Sequence, residues 1–188
     1  MAGRFLPSRD GWPFSNASMA GLPLRVGPVP VGRVIGGLCG GMCVSALQHW
    51  RSGGPLPSDR RTALAEIVAA QVRSFDVPRA PYRYLRLQQP AAVDQRAATT
   101  RESLAQLRAS LSVDRPVLLG LVCALGRSPL IVTEHHVVLA YAADDTRVQI
   151  YDPNYPRRDD VLLEIAGDGR QVTHSRGRAV YAVFVIDL

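Results

Sequence analysis

A cysteine, a histidine and an aspartate, met in that order along the chain, could together perform acyl chemistry. Cys39 lies in Gly37-Leu38-Cys39-Gly40-Gly41-Met42, which runs on through Cys43-Val44-Ser45-Ala46-Leu47-Gln48-His49-Trp50. Met42, Ala46, Leu47 and Trp50 recur at helical spacing, which predicts a helix carrying Cys39 in its first turn. At that place the positive end of the helix dipole and the free backbone N–H groups favour a thiolate over a thiol. The same N–H groups can hold the oxyanion that forms when a thiolate adds to a carbonyl. Cys43, one helical turn further on, is the rival nucleophile, and its simpler reading is a core thiol.

A thiolate nucleophile needs a base, and the base needs an orienting group. His135-His136-Val137-Val138-Leu139-Ala140-Tyr141 opens a strand. Alternation puts His135, Val137, Leu139 and Tyr141 on a bulky, core-like face. His136, Val138 and Ala140 fall on a smaller face with room for a cleft. Asp144-Asp145 turns the chain, and Arg147–Tyr151 returns as a second strand ending in Asp152-Pro153-Asn154-Tyr155-Pro156. Asp152 should therefore finish near the start of the His136 strand, where its carboxylate can fix one imidazole nitrogen and leave the other for a thiol. His135 is the rival base and Asn154 the rival orienter. The simpler reading of Asp152 is a turn cap. His49 and His174 read as surface or packing residues.

The positioning elements change character along the chain. Residues 1–35 are rich in Pro and Gly and read as an extended segment anchored by Trp12 and Phe14. Ser58 or Asp59 can cap a second helix with Leu64, Ile67 and Val68 on one face. Residues 76–98, with Pro81 and Pro90, read as irregular. Thr99 with Glu102 fits a capping box for a third helix through Leu104, Leu107 and Leu111. Strands are then expected at Pro116–Leu125, within Leu130–Ala143, and at Arg147–Tyr151, Val161–Ile165 and Ala179–Ile186. The fold class is α+β, a helical N-terminal half followed by an antiparallel sheet.

Gly37-Leu38-Cys39-Gly40-Gly41-Met42, His136-Val137-Val138-Leu139-Ala140-Tyr141 and Ile150-Tyr151-Asp152-Pro153-Asn154-Tyr155-Pro156 resemble the three motifs of bacterial papain-like cysteine peptidases. The last two also resemble the bacteriocin-processing branch. The resemblance implies one papain-like domain over residues 1–188. Residues 1–115 would form the N-terminal segment and helical lobe carrying Cys39. Residues 116–188 would form a sheet lobe carrying His136 and Asp152. It implies peptide-bond hydrolysis through a thioester, a protein or peptide substrate, and no cofactor or metal. The chain departs from the papain pattern in three ways. Cys43 follows Cys39, where papain has its second cysteine before the nucleophile. No glutamine precedes Cys39 to serve the oxyanion, and Asn16 is the substitute candidate. The interval from Cys39 to His136 is shorter than the roughly 130–150 residues typical of papain. Deamidation, transglutaminase-like acyl transfer and cell-wall amide hydrolysis use the same triad on related folds. An inactive papain-like binding domain is the non-enzymatic reading.

Composition narrows the classes further. The chain has 188 residues and is 47% hydrophobic, which suits a single domain with a sizeable core. It carries a net charge of +6, and all 22 basic residues are arginine. They are scattered without aromatic interleaving, so nucleic-acid binding is not expected. Three cysteines are an odd number and argue against a disulfide framework. Cys123, in an apolar run, reads as a core thiol. The charged start lacks a secretory signal, and no run is long enough to span a membrane. A cytoplasmic location, or secretion by a route independent of a signal peptide, is expected. A toxin or effector role would bring an inhibitor or immunity protein as a partner.

Overall fold

The computed structural model describes residues 4–19, 23–26, 29–33, 37–74, 79–111 and 115–188. Helices α1 (Pro7–Asp10), α2 (Cys39–Ser52), α3 (Arg60–Ser74), α4 (Arg79–Leu87) and α5 (Val93–Leu111) precede the main sheet. A small hairpin, β1 (Pro23–Val26) with β2 (Val29–Arg33), lies between α1 and α2. The sheet is built from β3 (Val117–Val122), β4 (His136–Ala143), β5 (Arg147–Tyr151), β6 (Leu162–Ile165), β7 (Val172–His174), β8 (Ala179–Val180) and β9 (Ala182–Ile186). Its order is β8-β7-β6-β5-β4-β3-β9, and every pairing is antiparallel. The α+β class therefore holds, with the helices first in the chain.

Alternation sorts the sheet residues into two cores. Leu118, Val122, Val137, Leu139, Phe184 and Ile186 pack with α2, α3, α4 and the N-terminal Phe5 and Trp12. Leu119, Leu121, Val138, Ala140, Val183 and Val185 pack with Leu104 and Leu107 of α5. Both faces are thus buried. The smaller face of β4 is no cleft, because Val138 and Ala140 are fully covered by the second core. The strand expected over Ala179–Ile186 breaks at the half-exposed Tyr181 into β8 and β9. These two pieces occupy opposite edges of the sheet although one residue separates them. The sheet consequently curls into a nearly closed, barrel-like form.

Several elements differ from their sequence expectation, each for a local reason. The segment over 76–98 contains α4 and the start of α5. Pro81 sits in the first turn of α4, where a missing N–H costs nothing. Thr99 and Glu102 lie inside α5 and cap nothing. The early turns of α5 are polar, but Arg96 is buried because its guanidinium donates to Leu87 O at 3.1 Å and Gln89 O at 2.7 Å. It thereby satisfies carbonyls at the end of α4. The first part of Leu130–Ala143 is a 3-10 turn over Pro129–Glu134, started by Pro129 and capped by Ser128 Oγ, which accepts from Leu130 N. The N-terminal segment is not wholly extended either. It contains α1, the hairpin and a 3-10 turn at Asn16–Met19. The Asp59 cap is present, with Thr62 N donating to Asp59 Oδ1 at 2.9 Å. No described helix is long and apolar enough to cross a membrane.

Helix α2 rests on α3 through a close backbone contact. A Cβ at Gly41 would collide with the Ile67 carbonyl oxygen and meet Gln71 N at 3.0 Å. Gly41 N also donates to Gln71 Oε1 at 2.6 Å. Replacing Gly41 with alanine must push the helices apart, since a backbone carbonyl has no rotamer to escape into. Gly41→Ala is expected to destabilise the chain by about 1–3 kcal/mol. A urea-unfolding midpoint unchanged from the native chain would contradict this contact.

Candidate active site

Cys39 opens α2 behind a turn that only Gly37 permits. Gly37 has φ +88°, and a Cβ there would overlap the Asn16 side chain. Asn16 reaches this turn from the N-terminal segment, and its Oδ1 accepts from Leu38 N at 2.7 Å. The first-turn donors of α2 are thus shared out. Leu38 N goes to Asn16 and Gly41 N to Gln71, while Gly40 N supports the Cys39 sulfur. The Cys39 N–H has no carbonyl four residues back within its helix.

His136 begins β4 and Asp152 follows the end of β5. Register pairs Leu139 with Tyr151, so the two ends meet. His136 Nε2 donates to Asp152 Oδ1 at 2.7 Å, with both side chains buried. Cys39 lies close enough to His136 for each to shift the ionisation of the other. The structure therefore brings together Cys39, His136 and Asp152. Tyr84 of α4 steadies the strand end by donating its hydroxyl to His136 O at 2.9 Å.

Electrostatics follow from that contact. Burial opposes ionisation of Cys39, but the adjacent His136 and backbone bonds from Val137 and Gly40 outweigh it and hold the thiol below its ordinary value. Burial likewise opposes the His136 imidazolium, yet Asp152 and Cys39 raise it to about 9. Burial also works against the Asp152 carboxylate. His136, His174 and Asn154 N overcome this and keep it well below the usual carboxylate range. The arrangement favours a thiolate–imidazolium pair beside an ionised aspartate.

The rival residues take other places. Cys43 is fully buried and donates to Val137 O at 3.6 Å, and burial pushes its thiol far up. Cys123 is partly buried, and burial pushes it to about 11. His135 has both nitrogens occupied. Its Nδ1 accepts from Cys123 N at 3.2 Å and its Nε2 meets Gln88 Oε1 at 3.1 Å. Its ring stacks on Tyr84, and burial lowers it to about 4. Asn154 lies farther from His136 Nε2, at 3.3 Å through its Nδ2. Two donors face each other there, because Asn154 Oδ1 is turned towards Asn16 Nδ2 at 3.4 Å. Asp152, an acceptor at 2.7 Å, is the orienting partner of His136 by geometry. Asn16 stands beside Gly37 and Leu38, next to the turn that carries Cys39.

Sequence reasoning missed His174. It is fully buried in β7, and its Nε2 lies 3.1 Å from Asp152 Oδ2. The short strand Val172-Thr173-His174 carried the signal, since alternation with the buried Val172 turns His174 inward. His49 pairs with Glu66 at 2.8 Å on the partly exposed side of α2. A depression of about 620 Å³ lined by Asp144, Arg147, Glu164 and Gln171 lies at the far end of β4 and touches none of these groups. Among the described residues no cluster of three or more His, Cys, Asp or Glu is arranged to hold a metal ion. Comparison with known protein families, curated proteins and solved structures finds no match to this chain.

Two outcomes follow from these placements. Iodoacetamide should modify Cys39 at lower pH than Cys43 or Cys123, and His136→Ala should remove that advantage; peptide mapping across pH 5–9 reads both. The second concerns stability. His135 is depressed from 6.5 to about 4, so the unfolded chain binds its proton first and stability falls as pH drops through that window. His136 is raised, so its contribution is complete below 6.5 and is lost as pH rises through about 9. His135→Gln should flatten the acid-side slope of the denaturation midpoint and leave the alkaline side alone.

Proposed function

We propose that this chain is a papain-like cysteine peptidase. The observation that carries the reading is the buried bond from His136 Nε2 to Asp152 Oδ1 at 2.7 Å, in an imidazole that is coupled electrostatically to the Cys39 thiol. A buried imidazole held between a carboxylate and a helix-start cysteine has the order of roles that acyl transfer needs. The helical element carrying the cysteine and the antiparallel sheet carrying histidine and aspartate support the same assignment.

The Cys39 thiolate attacks the carbonyl carbon of a substrate peptide bond. The oxyanion meets the Cys39 N–H at the start of α2, with Asn16 Nδ2 as the side-chain donor. The His136 imidazolium gives its proton to the leaving amine, and a thioester remains on Cys39. Neutral His136 then takes a proton from water as the water attacks the thioester. The carboxylic product departs and the thiolate returns. Asp152 stays ionised throughout and holds the ring orientation. No organic cofactor or metal enters these steps.

Incubation with an unfolded protein substrate should yield new chain termini, and Cys39→Ala should lower the rate by about 10⁴-fold or more. A one-dalton gain without cleavage would instead make the chain a deamidase, and cross-linked products an acyl transferase. A biological effect retained in full by Cys39→Ala would leave a binding domain.

A further inference from the structure

The Asp152 carboxylate has two oxygens, and each has its own partner. Oδ1 accepts from His136 Nε2 at 2.7 Å and from Asn154 N at 2.8 Å. Oδ2 faces His174 Nε2 at 3.1 Å. The protonation of His174 can be read from its second nitrogen. Nδ1 accepts from Arg176 N at 3.1 Å, and a backbone N–H can only donate. His174 is therefore the tautomer with hydrogen on Nε2, and that hydrogen points at Asp152. Neither side chain has any solvent exposure. The carboxylate plane is thus pinned from both ends, by a ring on β4 and a ring on β7.

The backbone of His174 is equally fixed. It pairs with Leu163 in β6, and the following Ser175 N donates to Leu162 O at 2.9 Å. The Tyr155 ring lies 6.1 Å away. The Arg176 guanidinium stands over the Tyr155 ring at 5.9 Å and pairs with Asp160 at 2.7 Å. Among the described residues, Asp152 is thus the one ionised group that the His174 ring bonds. Packing alone calls for an apolar side chain at this depth, as at Val172 on the same face. A buried imidazole with both nitrogens satisfied costs more to place than valine or leucine, and it returns that cost only through what it holds.

We infer that His174 is a positioning residue for the Cys39–His136–Asp152 site: its neutral imidazole donates to Asp152 Oδ2 and so aims Oδ1 at His136. This inference rests on the peptidase reading only in using the Cys39–His136 pair as its readout. With Oδ2 released, the carboxylate can rotate away from His136. The imidazolium then loses its partner, and the thiolate loses the imidazolium.

The test compares Cys39 alkylation by iodoacetamide across pH 5–9 in the native chain, His136→Ala, His174→Phe and His174→Gln. Phenylalanine keeps the ring against Tyr155 and removes the donor. Glutamine keeps an N–H donor at similar reach. His174→Phe should lower the alkylation rate near pH 6.5 about tenfold, the effect of roughly one pKa unit on the thiolate fraction, and move its onset to higher pH. His174→Gln should restore most of the rate. A native profile in His174→Phe, or a Gln variant as impaired as Phe, overturns the inference. If His136→Ala leaves the native profile intact, the Cys39–His136 reading itself fails, which is a different result. Should His174→Phe not fold, nitrogen-15 NMR of the native chain decides. A protected His174 Nε2–H signal that shifts on alkylation of Cys39 supports the inference, and a signal that is absent or unmoved overturns it.

Discussion

A carboxylate without solvent is tolerated only where donors surround it, and Asp152 sets that condition for this molecule. Removing an ion from water costs several kcal/mol, and close hydrogen bonds must offset it. Three donors converge on Asp152, from His136, Asn154 N and His174. They come from β4, from the turn after β5 and from β7, so the carboxylate is satisfied only when those strands are in register. Local chemistry and sheet topology therefore depend on each other. The curl that brings β8 and β9 to opposite edges of one sheet belongs to the same geometry.

The cysteine side is set by a different constraint, close packing of backbone. Gly41 lets α2 approach the Ile67 carbonyl of α3, and Gly37 lets the chain turn under Asn16. The N-terminal segment then ties the halves together. Trp12 Nε1 donates to Ser45 Oγ of α2 at 3.0 Å, and Trp12 N donates to Tyr151 OH of β5 at 3.1 Å. Asn16 N donates to Pro153 O at 2.8 Å while Asn16 Oδ1 holds Leu38 N. A segment without periodicity in its sequence thus spans the helix that carries Cys39 and the turn that carries Asp152. Its short helices are held by side-chain and backbone bonds rather than by an apolar stripe, which is why hydropathy does not reveal them.

Much of the candidate site was legible from residue order and local turn chemistry. Cys39 at a helix start, His136 at a strand start and Asp152 at the end of the returning strand all follow from period and turn chemistry. The choice between His135 and His136 was not. Both neighbours are buried, and only Gln88 and Cys123 N, distant in sequence, show that the nitrogens of His135 are occupied. The same holds for α4 and the start of α5. Arg96 looks like a surface residue until the carbonyls it serves at the end of α4 are known.

The sequence by itself determined the α+β class, the antiparallel return of the chain at Asp144-Asp145 and the nomination of Cys39, His136 and Asp152 as candidates, because each depends on contacts within a few residues or on one hairpin; the irregularity between Ala140 and Ala142 in that hairpin came only from the structure. Tertiary structure alone decided that both faces of β4 are covered, that Tyr181 breaks the last strand, and that His174 reaches Asp152. Those outcomes depend on which distant strands become neighbours. A buried imidazole and a solvated one have the same letter in the chain; the difference lies in the groups that folding brings to their nitrogens.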